Sequence, residues 1–231
     1  HSRKLKTGAL RGNRFQIRIR GVEADPGQVE GRLQQLAQGM PNSFGPQRFG
    51  RNGDNLLQAE RMLARPRVRV SRNKRSIGLS SVRSALFNCV LSARIEAGNW
   101  NQPLVGDAFQ LEGKSAVFST EAIDADITSR CAGGDIHPTG PLCGSGDVMV
   151  MGEAAALEET VLAPYGDWIE GLDAFRMNHA RRALRVIPGD LAWTQDAQDQ
   201  WLLSFSLPAG SYATSLLHEV FEVKTADEQP A

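Results

Sequence analysis

The stretch Asn13–Gly39, NRFQIRIRGVEADPGQVEGRLQQLAQG, is the part of the sequence that decides the fold class. It begins with a strict alternation, with Phe15, Ile17 and Ile19 on one side and polar residues, mostly arginine, on the other. Successive side chains of a strand point to opposite faces. The alternation therefore predicts a half-buried strand with a basic outer row.

The second part of the same stretch predicts a helix. Asp25 stands at the N-cap position and Pro26 at the first helical position, apolar residues recur at helical spacing, and Gly39 ends the segment. Further helices are expected at DNLLQAERMLA (54–64), SVRSALFNCVLSARI (81–95), two acidic segments within 152–172, and AGSYATSLLHEVFEV (209–223). Further strands are expected at RRALRVIP (181–188), LAWTQD (191–196) and QWLLSFSL (200–207), the last two forming a hairpin.

The segments between these elements are expected to be irregular. RPRVRVSRNKRS (65–76) is interpreted as a basic link, after which the composition changes. Residues 99–152 are rich in glycine, aspartate and turn signals, which predicts loops and short strands. The polar tail KTADEQPA (224–231) is expected to be disordered.

The composition excludes several classes of protein. With 231 residues, 41% of them hydrophobic, the chain can bury a full core. No run approaches the roughly 18 apolar residues of a membrane span, and the first residues lack the apolar centre of a signal peptide. Three cysteines are too few for a disulfide framework. These features predict a soluble, cytosolic protein.

The net charge of zero hides a strong asymmetry along the chain. Residues 1–94 contain 19 Lys and Arg against 5 Asp and Glu, and residues 95–231 contain 7 against 21. One interpretation is that a polyanion docks on the basic segment. The other is that the two segments neutralise each other across a domain contact.

Common catalytic and metal signatures are absent from the sequence. Cys131, His137 and Cys143 form a C-x5-H-x5-C pattern that lacks the paired spacing and the fourth ligand of a zinc site, so we expect no metal. The glycine-rich stretches match neither a Walker loop nor a dinucleotide fingerprint, and no serine hydrolase motif is present.

The loop PNSFGPQRFG, Pro41–Gly50, combines aromatic residues with turn residues. Such a loop could form a pocket for a flipped nucleobase, with Phe44 stacking, Asn42 donating or accepting a hydrogen bond and Arg48 meeting a phosphate. Alternatively, Phe44 and Phe49 fill the core and Arg48 is a solvated cation. The residues alone leave both interpretations open.

Five motifs together resemble the tRNA pseudouridine synthase D (TruD) family, in the same order and with similar spacing. They are HSRKLKTGALRGNRF (1–15), GMPNSFGPQRFG (39–50), RNKRSIGLSSVRSALFN (72–88), HPTGPLCG (137–144) and LPAGSYATSLLHE (207–219). The resemblance implies isomerisation of uridine to pseudouridine at tRNA position 13, with tRNA as partner and without cofactor or metal. We also expect a monomer in the cytoplasm.

The fold implied by the resemblance is α+β, a mixed sheet flanked by helices and interrupted by an insertion domain. The expected domains are 1–67, the first part of a catalytic domain; 68–185, the insertion; and 186–231, the second part of the catalytic domain. The family's catalytic Asp motif is absent here, and the family's sequence starts upstream of the segment that matches His1. We therefore expect the catalytic Asp upstream of His1, and we expect this chain alone to be inactive.

The resemblance also assigns roles to individual residues. Asn42 would position the missing Asp, Phe44 would stack on the target uracil, and Tyr212 would form part of the active-site wall, unless it is a core residue in line with Leu216. Phosphate contacts are expected from Lys4, Lys6, Arg48, Lys74, Arg75 and Arg83. The segment His137–Gly144 is expected to be a structural turn.

Overall fold

The structure, a computed structural model, describes residues 10–65, 69–197 and 199–222. Its helices are α1 (Pro26–Leu36), α2 (Asp54–Leu63), α3 (Arg72–Glu96), α4 (Ala125–Gly133), α5 (Gly152–Leu162), α6 (Gly166–Ala174) and α7 (Ala213–Val220). Its strands are β1 (Gly12–Arg20), β2 (Met40–Pro41), β3 (Ala108–Leu111), β4 (Val117–Ser119), β5 (Ile136–Leu142), β6 (Ala180–Ala183), β7 (Arg185–Val186), β8 (Gly189–Ala197) and β9 (Gln200–Pro208). In these ranges, no helix combines the length and the apolar character that crossing a bilayer requires.

The chain divides into two compact units. One, which we call the split unit, contains the residues up to Asn42 and those from Val186 onward. The other, the middle unit, is Ser43–Arg185. The middle unit is thus inserted in sequence between the two parts of the split unit, and the short strands β2 and β7 pair with each other.

The split unit is an antiparallel sheet with two helices on its apolar face. Its strand order is β1-β9-β8. Phe15 on β1 lies opposite Phe205 on β9, and their rings stack with centroids 5.3 Å apart. The apolar residues of β9 alternate with partly exposed ones and form the core with Leu33 of α1 and Leu216 of α7. The alternation of apolar and polar residues in 13–20 thus correctly predicted strand β1 and the face that packs against the core.

The middle unit is built around the 25-residue helix α3. Val82, Leu86 and Val90 recur at helical spacing, are fully buried and pack against residues of α2, α5 and α6. A four-stranded antiparallel sheet, with strand order β4-β3-β5-β6, completes this unit. Every residue of β5 except the last is buried.

A buried ion pair ties the loop after α3 to the end of that helix. Arg94 donates two hydrogen bonds to the Asp107 carboxylate, at 3.0 and 3.2 Å. Arg94 also donates to the carbonyl oxygens of Asn99 and Gln102. Both charged side chains are nearly inaccessible to solvent, so each depends on the other for compensation.

Several predicted elements are confirmed. Helix α1 begins as expected, because Asp25 Oδ1 accepts a hydrogen bond from the backbone N–H of Gln28 at 3.1 Å. Helix α2 matches the segment 54–64, and α5 and α6 match the two acidic segments within 152–172. The hairpin of β8 and β9 is also confirmed. The residues of the predicted tail, 224–231, lie outside the described residues.

The predicted start of one helix was wrong. Helix α3 begins at Arg72 rather than Ser81, since the Oγ of Ser71 accepts a hydrogen bond from the backbone N–H of Lys74 at 3.4 Å and caps the helix. The last part of the expected basic link, residues 72–76, is therefore helical. The expected limits of the catalytic domain and of the insertion, at residues 67–68 and 185–186, stay predictions.

The stretch 99–152 contains more regular structure than predicted. Helix α4 was missed because it is short, although Asp124 caps it by accepting a hydrogen bond from the backbone N–H of Ile127 at 2.8 Å. The motif His137–Gly144 was wrongly interpreted as a turn: its prolines and glycine suggested one, but the segment 136–142 is the buried strand β5.

Candidate functional site

Phe44 is fixed by two consecutive residues of α3. Its backbone N–H donates to Asn88 Oδ1 at 2.9 Å, and its carbonyl oxygen accepts from Asn88 Nδ2 at 3.0 Å. Its ring is perpendicular to that of Phe87, with centroids 5.5 Å apart. Phe44 is only 8% exposed. Helix α3 therefore holds both the backbone and the ring of this loop residue.

Two arginines lie against the Phe44 ring. The guanidinium carbon of Arg182, on β6, is 4.1 Å from the ring centroid, and that of Arg48 is 5.5 Å away. A cation at these distances is attracted to the electron-rich face of an aromatic ring. In this structure, Phe44 is thus a buried aromatic with a guanidinium stacked on it.

Arg48 is half-buried rather than a fully solvated cation. Its Nη1 donates to Ser80 Oγ at 3.4 Å, and its carbonyl oxygen accepts from Ser81 Oγ at 2.9 Å. Its Nε is buried and has no hydrogen-bond partner within the described part of the chain. The guanidinium therefore retains an unused donor close to Phe44.

Gly140, in the motif His137–Gly144, provides the space that the Phe87 ring needs. A Cβ at this position would lie 2.9 Å from Leu184 Cδ2 and 3.0 Å from Phe87 Cε2, which is closer than carbon atoms approach in proteins. A larger residue would therefore displace the side chains of Leu184 and Phe87. The motif that the sequence left without a role thus supports the aromatic pair.

In the split unit, Asn42 is anchored to the segment that contains Tyr212. Asn42 is 7% exposed, and its Oδ1 accepts a hydrogen bond from Ser211 Oγ at 3.0 Å. Tyr212 follows Ser211, is half-buried, and lies just before α7. Asn42 and the segment 211–212 are thus brought together from opposite ends of the sequence.

The exposed cations of the middle unit are concentrated in the segment Arg61–Arg75, which we call the basic segment. Its described cations are all exposed: Arg61, Arg65, Arg69, Arg72, Lys74 and Arg75. Among the residues that the structure covers, none of them pairs with a carboxylate. The last three lie in the first turn of α3, where the helix dipole disfavours cations. The cluster therefore costs helix stability and suits an anionic partner.

The other cations expected to contact phosphate are Arg83 and the two N-terminal lysines. Arg83 Nη2 donates to the carbonyl oxygens of Leu142 and Asn178, each at 2.8 Å, and burial lowers the pKa of this guanidinium. These contacts join β5 to the segment before β6, and a phosphate contact by Arg83 stays a prediction. Lys4 and Lys6 lie outside the described residues.

His137 is held in one neutral form by its neighbours. Arg185 Nε donates to His137 Nδ1 at 2.9 Å, so His137 Nε2 carries the proton that faces Glu112. Burial is the main cause that lowers the pKa of His137; Glu112 opposes the shift and the Arg185 cation reinforces it. Arg185 Nη2 also donates to the Cys131 carbonyl oxygen at 2.6 Å.

This arrangement predicts a pH-dependent contribution of His137 to stability. Below its ordinary pKa of 6.5, the unfolded histidine binds a proton that the folded one refuses, so stability falls as the pH falls. We expect the stability advantage of the wild type over His137→Gln to shrink as the pH falls below that value, with a limiting slope of about 1.4 kcal/mol per pH unit for one proton. Urea unfolding at about pH 8 and pH 5.5 measures this difference. As a control, the same measurement on His218→Gln, at an exposed position, shows what the loss of a histidine does outside this cluster.

The remaining residues of the C-x5-H-x5-C pattern are engaged in packing. Cys131 Sγ donates to the carbonyl oxygen of Asn101 at 3.3 Å. Burial raises the pKa of Cys143 to about 11, which favours the thiol over the thiolate that binds metals. In the described ranges, no three His, Cys, Asp or Glu side chains are grouped so that they could hold a metal ion.

Sequence reasoning missed Arg182, Asn88 and Phe87 as parts of the site. Arg182 could have been noticed as the second of two adjacent arginines in a predicted strand, because alternate strand residues face opposite sides. Its neighbour Arg181 is buried and donates to both Glu158 carboxylate oxygens, at 2.9 and 2.6 Å. No sequence signal connects Asn88 with Phe44, since 44 residues separate them.

Comparison with solved structures shows that the fold is of the pseudouridine synthase D type. A crystal structure from Methanosarcina mazei that carries this family name superimposes with a TM-score of 0.69, covering 94% of this chain and 70% of that one. The two sequences are 22% identical, so this similarity concerns the fold.

Comparison of sequences identifies the family itself. The family model "tRNA pseudouridine synthase D" matches residues 1–66 and 54–220. The chain belongs to this family. The tRNA pseudouridine synthase D of Methylococcus capsulatus is 48% identical over 96% of the chain, and that of Nitrosococcus oceani is 45% identical over 100%. The chain spans 63% and 65% of the lengths of these two relatives.

Proposed function

We propose that the chain is the larger part of an enzyme that isomerises uridine to pseudouridine in tRNA, at position 13. The observation that carries this proposal is Phe44, an aromatic residue clamped by α3 in the loop of the family motif. Stacking on such a fixed ring is how proteins hold an extruded base. Family membership and the names of the relatives support the same conclusion.

In this reaction, the bond between C1′ of the ribose and N1 of uracil breaks, the base rotates, and C5 joins C1′. The C5 proton is lost and N1 gains one, so the reaction is an isomerisation and consumes no cofactor. The group that begins it is an Asp supplied by a segment that precedes His1 in the longer protein. Asn42, which is anchored by Ser211, positions that Asp, and Tyr212 forms part of the active-site wall.

The remaining predicted residues bind the RNA backbone. Lys74 and Arg75 contact phosphates, together with Lys4, Lys6 and the half-buried Arg48. In this proposal, the split unit is part of the catalytic domain and the middle unit contains the family's insertion. The enzyme acts as a monomer in the cytoplasm, where its tRNA substrate is found.

The test is release of tritium from tRNA labelled at C5 of uridine. We expect none from the 231-residue chain and steady release from a longer protein in which a family Asp motif precedes His1, with a chelator present. Replacing the Asp of that motif with Asn is the control and should abolish release. Turnover by the 231-residue chain would refute the upstream Asp. A longer protein that is folded, binds tRNA and never turns over would favour a non-catalytic RNA-binding module.

Binding of tRNA to this chain should depend steeply on salt, because each neutralised phosphate releases counterions. In Lys74→Gln/Arg75→Gln, we expect weaker binding, and the slope of log affinity against log salt should become shallower by about one to two. The matched control is Lys114→Gln/Arg176→Asn, which removes two exposed cations outside the basic segment. Equal slopes for the two double variants would exclude the basic segment as the phosphate-binding surface.

A further inference from the structure

Arg83 of α3 connects two other segments of the middle unit through one guanidinium nitrogen. Its Nη2 donates to the carbonyl oxygen of Leu142, at the end of β5, and to that of Asn178, two residues before β6, each at 2.8 Å. The last backbone pair of β5 and β6 is Leu142 with Ala180, so this connection lies where the pairing of the two strands ends. Because a charged donor makes stronger hydrogen bonds than a neutral one, Arg83 fixes both segments to α3.

The strands that Arg83 holds also contact the aromatic pair of Phe44 and Phe87. Phe87 lies four residues after Arg83, and residues at this spacing are neighbours on a helix surface. Its ring packs over Gly140 of β5, where a Cβ would lie 3.0 Å from Phe87 Cε2. Gly140 is paired with Arg182 of β6, whose guanidinium carbon lies 5.4 Å from the ring centroid of Phe87 and 4.1 Å from that of Phe44. A shift of β5 and β6 along α3 would therefore change the packing around Phe44.

We propose that Arg83 is a positioning residue for the target uracil: by fixing β5 and the segment before β6 to α3, it holds the Phe44 ring in the orientation on which the base stacks. Arg83 acts through Phe87 and the two strands, and it does not touch the RNA. Its Nε is buried and its Nη2 donates to two carbonyl oxygens, which agrees with a side chain directed into the protein. This proposal rests on the proposed function, since it requires a base on Phe44.

The test compares the affinity of this chain for two RNAs, tRNA with uridine at position 13 and the same RNA lacking only that uracil base. For the wild type, we expect about tenfold tighter binding of the uridine RNA, because stacking on one base is worth roughly that factor. In Arg83→Gln, this ratio should fall to about threefold, while the slope of log affinity against log salt stays unchanged because no phosphate contact is lost. Arg83→Lys should also have a lowered ratio, since the lysine side chain ends one bond short of Nη2. The matched control Lys114→Gln removes one exposed cation and should leave the ratio unchanged.

A double-mutant cycle with Phe44→Leu tests whether Arg83 acts through the aromatic pair. Phe44→Leu alone should abolish the preference for the uridine RNA. Adding Arg83→Gln should then leave the ratio of the two affinities as it is, because changes that act through the same contact are not additive. A further fall in the ratio would show that Arg83 acts on the base by another route and would overturn the proposal.

The alternative roles of Arg83 predict different outcomes. If Arg83 contacts a phosphate, Arg83→Gln weakens both RNAs equally, makes the salt slope shallower by about one and is rescued by Arg83→Lys, which would overturn the proposal. A ratio that stays at the wild-type value in Arg83→Gln would show a role in stability alone, and only this inference would fail. No preference in the wild type would refute the base pocket of the proposed function as well. Arg83→Met, which keeps the apolar stem, replaces Arg83→Gln if urea unfolding shows that the latter is not folded at the assay temperature.

Discussion

Replacing Phe44 with alanine is expected to lower the free energy of unfolding by about 3–5 kcal/mol. The ring is almost fully buried and packs against Phe87, so its removal leaves a cavity and uncovers an aromatic neighbour. It also removes the surface on which the Arg182 guanidinium lies. Urea unfolding of the wild type and the variant measures the difference.

A leucine at the same position separates packing from stacking. Phe44→Leu keeps most of the apolar volume, so its stability loss should stay below about 1.5 kcal/mol. It loses the flat ring, so the active longer protein should lose roughly 1–3 kcal/mol of base stacking and slow by about tenfold or more. Phe44→Tyr, which keeps the ring, should retain much of the rate. Normal turnover in Phe44→Leu would end the argument that this ring holds the substrate base.

The second large effect is expected from breaking the ion pair of Arg94 and Asp107. In Arg94→Met, a carboxylate that is 1% exposed loses its counterion, and such losses cost about 3–5 kcal/mol. The double variant Arg94→Met/Asp107→Leu removes both charges and should recover much of this loss. Chemical unfolding of the single and double variants tests whether their effects are additive.

The pH dependence of Arg94→Met provides an independent check. Burial raises the pKa of Asp107, and Arg94 is the main group that opposes this shift. Without Arg94, the folded state takes up a proton more readily than the unfolded state, so the stability deficit should shrink as the pH falls toward the ordinary Asp value of 3.8. Arg130→Met, which breaks the ion pair with the exposed Asp135, should have a much smaller effect. A deficit that is constant with pH would show that packing, rather than charge, explains the loss.

The elements predicted correctly are those with strong local signals. Strand β1 and helix α1 follow from the change of period within Asn13–Gly39 and from the Asp25 cap. The hairpin of β8 and β9 follows from two apolar runs around a short polar turn. These signals act between neighbouring residues, so one sequence is sufficient to detect them.

The candidate site could be predicted only in part. Resemblance to a family singled out Asn42, Phe44 and Tyr212, but the contacts that hold them come from residues distant in sequence. Asn88 reaches Phe44 only because α3 packs beside the loop. Ser211 donates a hydrogen bond to Asn42 although 169 residues separate them. Such tertiary contacts produce no periodic pattern in the sequence.

The same limit explains the errors in the fold. The proline and the run of arginines in RPRVRVSRNKRS (65–76) suggested a link, and cations at the start of a helix do oppose its dipole. Ser71 nevertheless caps α3 there, and burial of the apolar residues later in the helix stabilises it. In His137–Gly144, the prolines and glycine suggested a turn, whereas the packing of Phe87 over Gly140 requires a small residue within a strand.

Strand β6 places two like side chains, Arg181 and Arg182, in opposite surroundings. One is locked to Glu158 in the interior, and the other lies over an aromatic ring at the strand edge. Successive side chains of a strand point to opposite faces. A register shift of one residue would therefore exchange the two arginines and leave a charge without its partner in the interior. Insertions and deletions should therefore be tolerated in the loops around β6 but not within its four residues, so that sequence length here is as constrained as sequence identity.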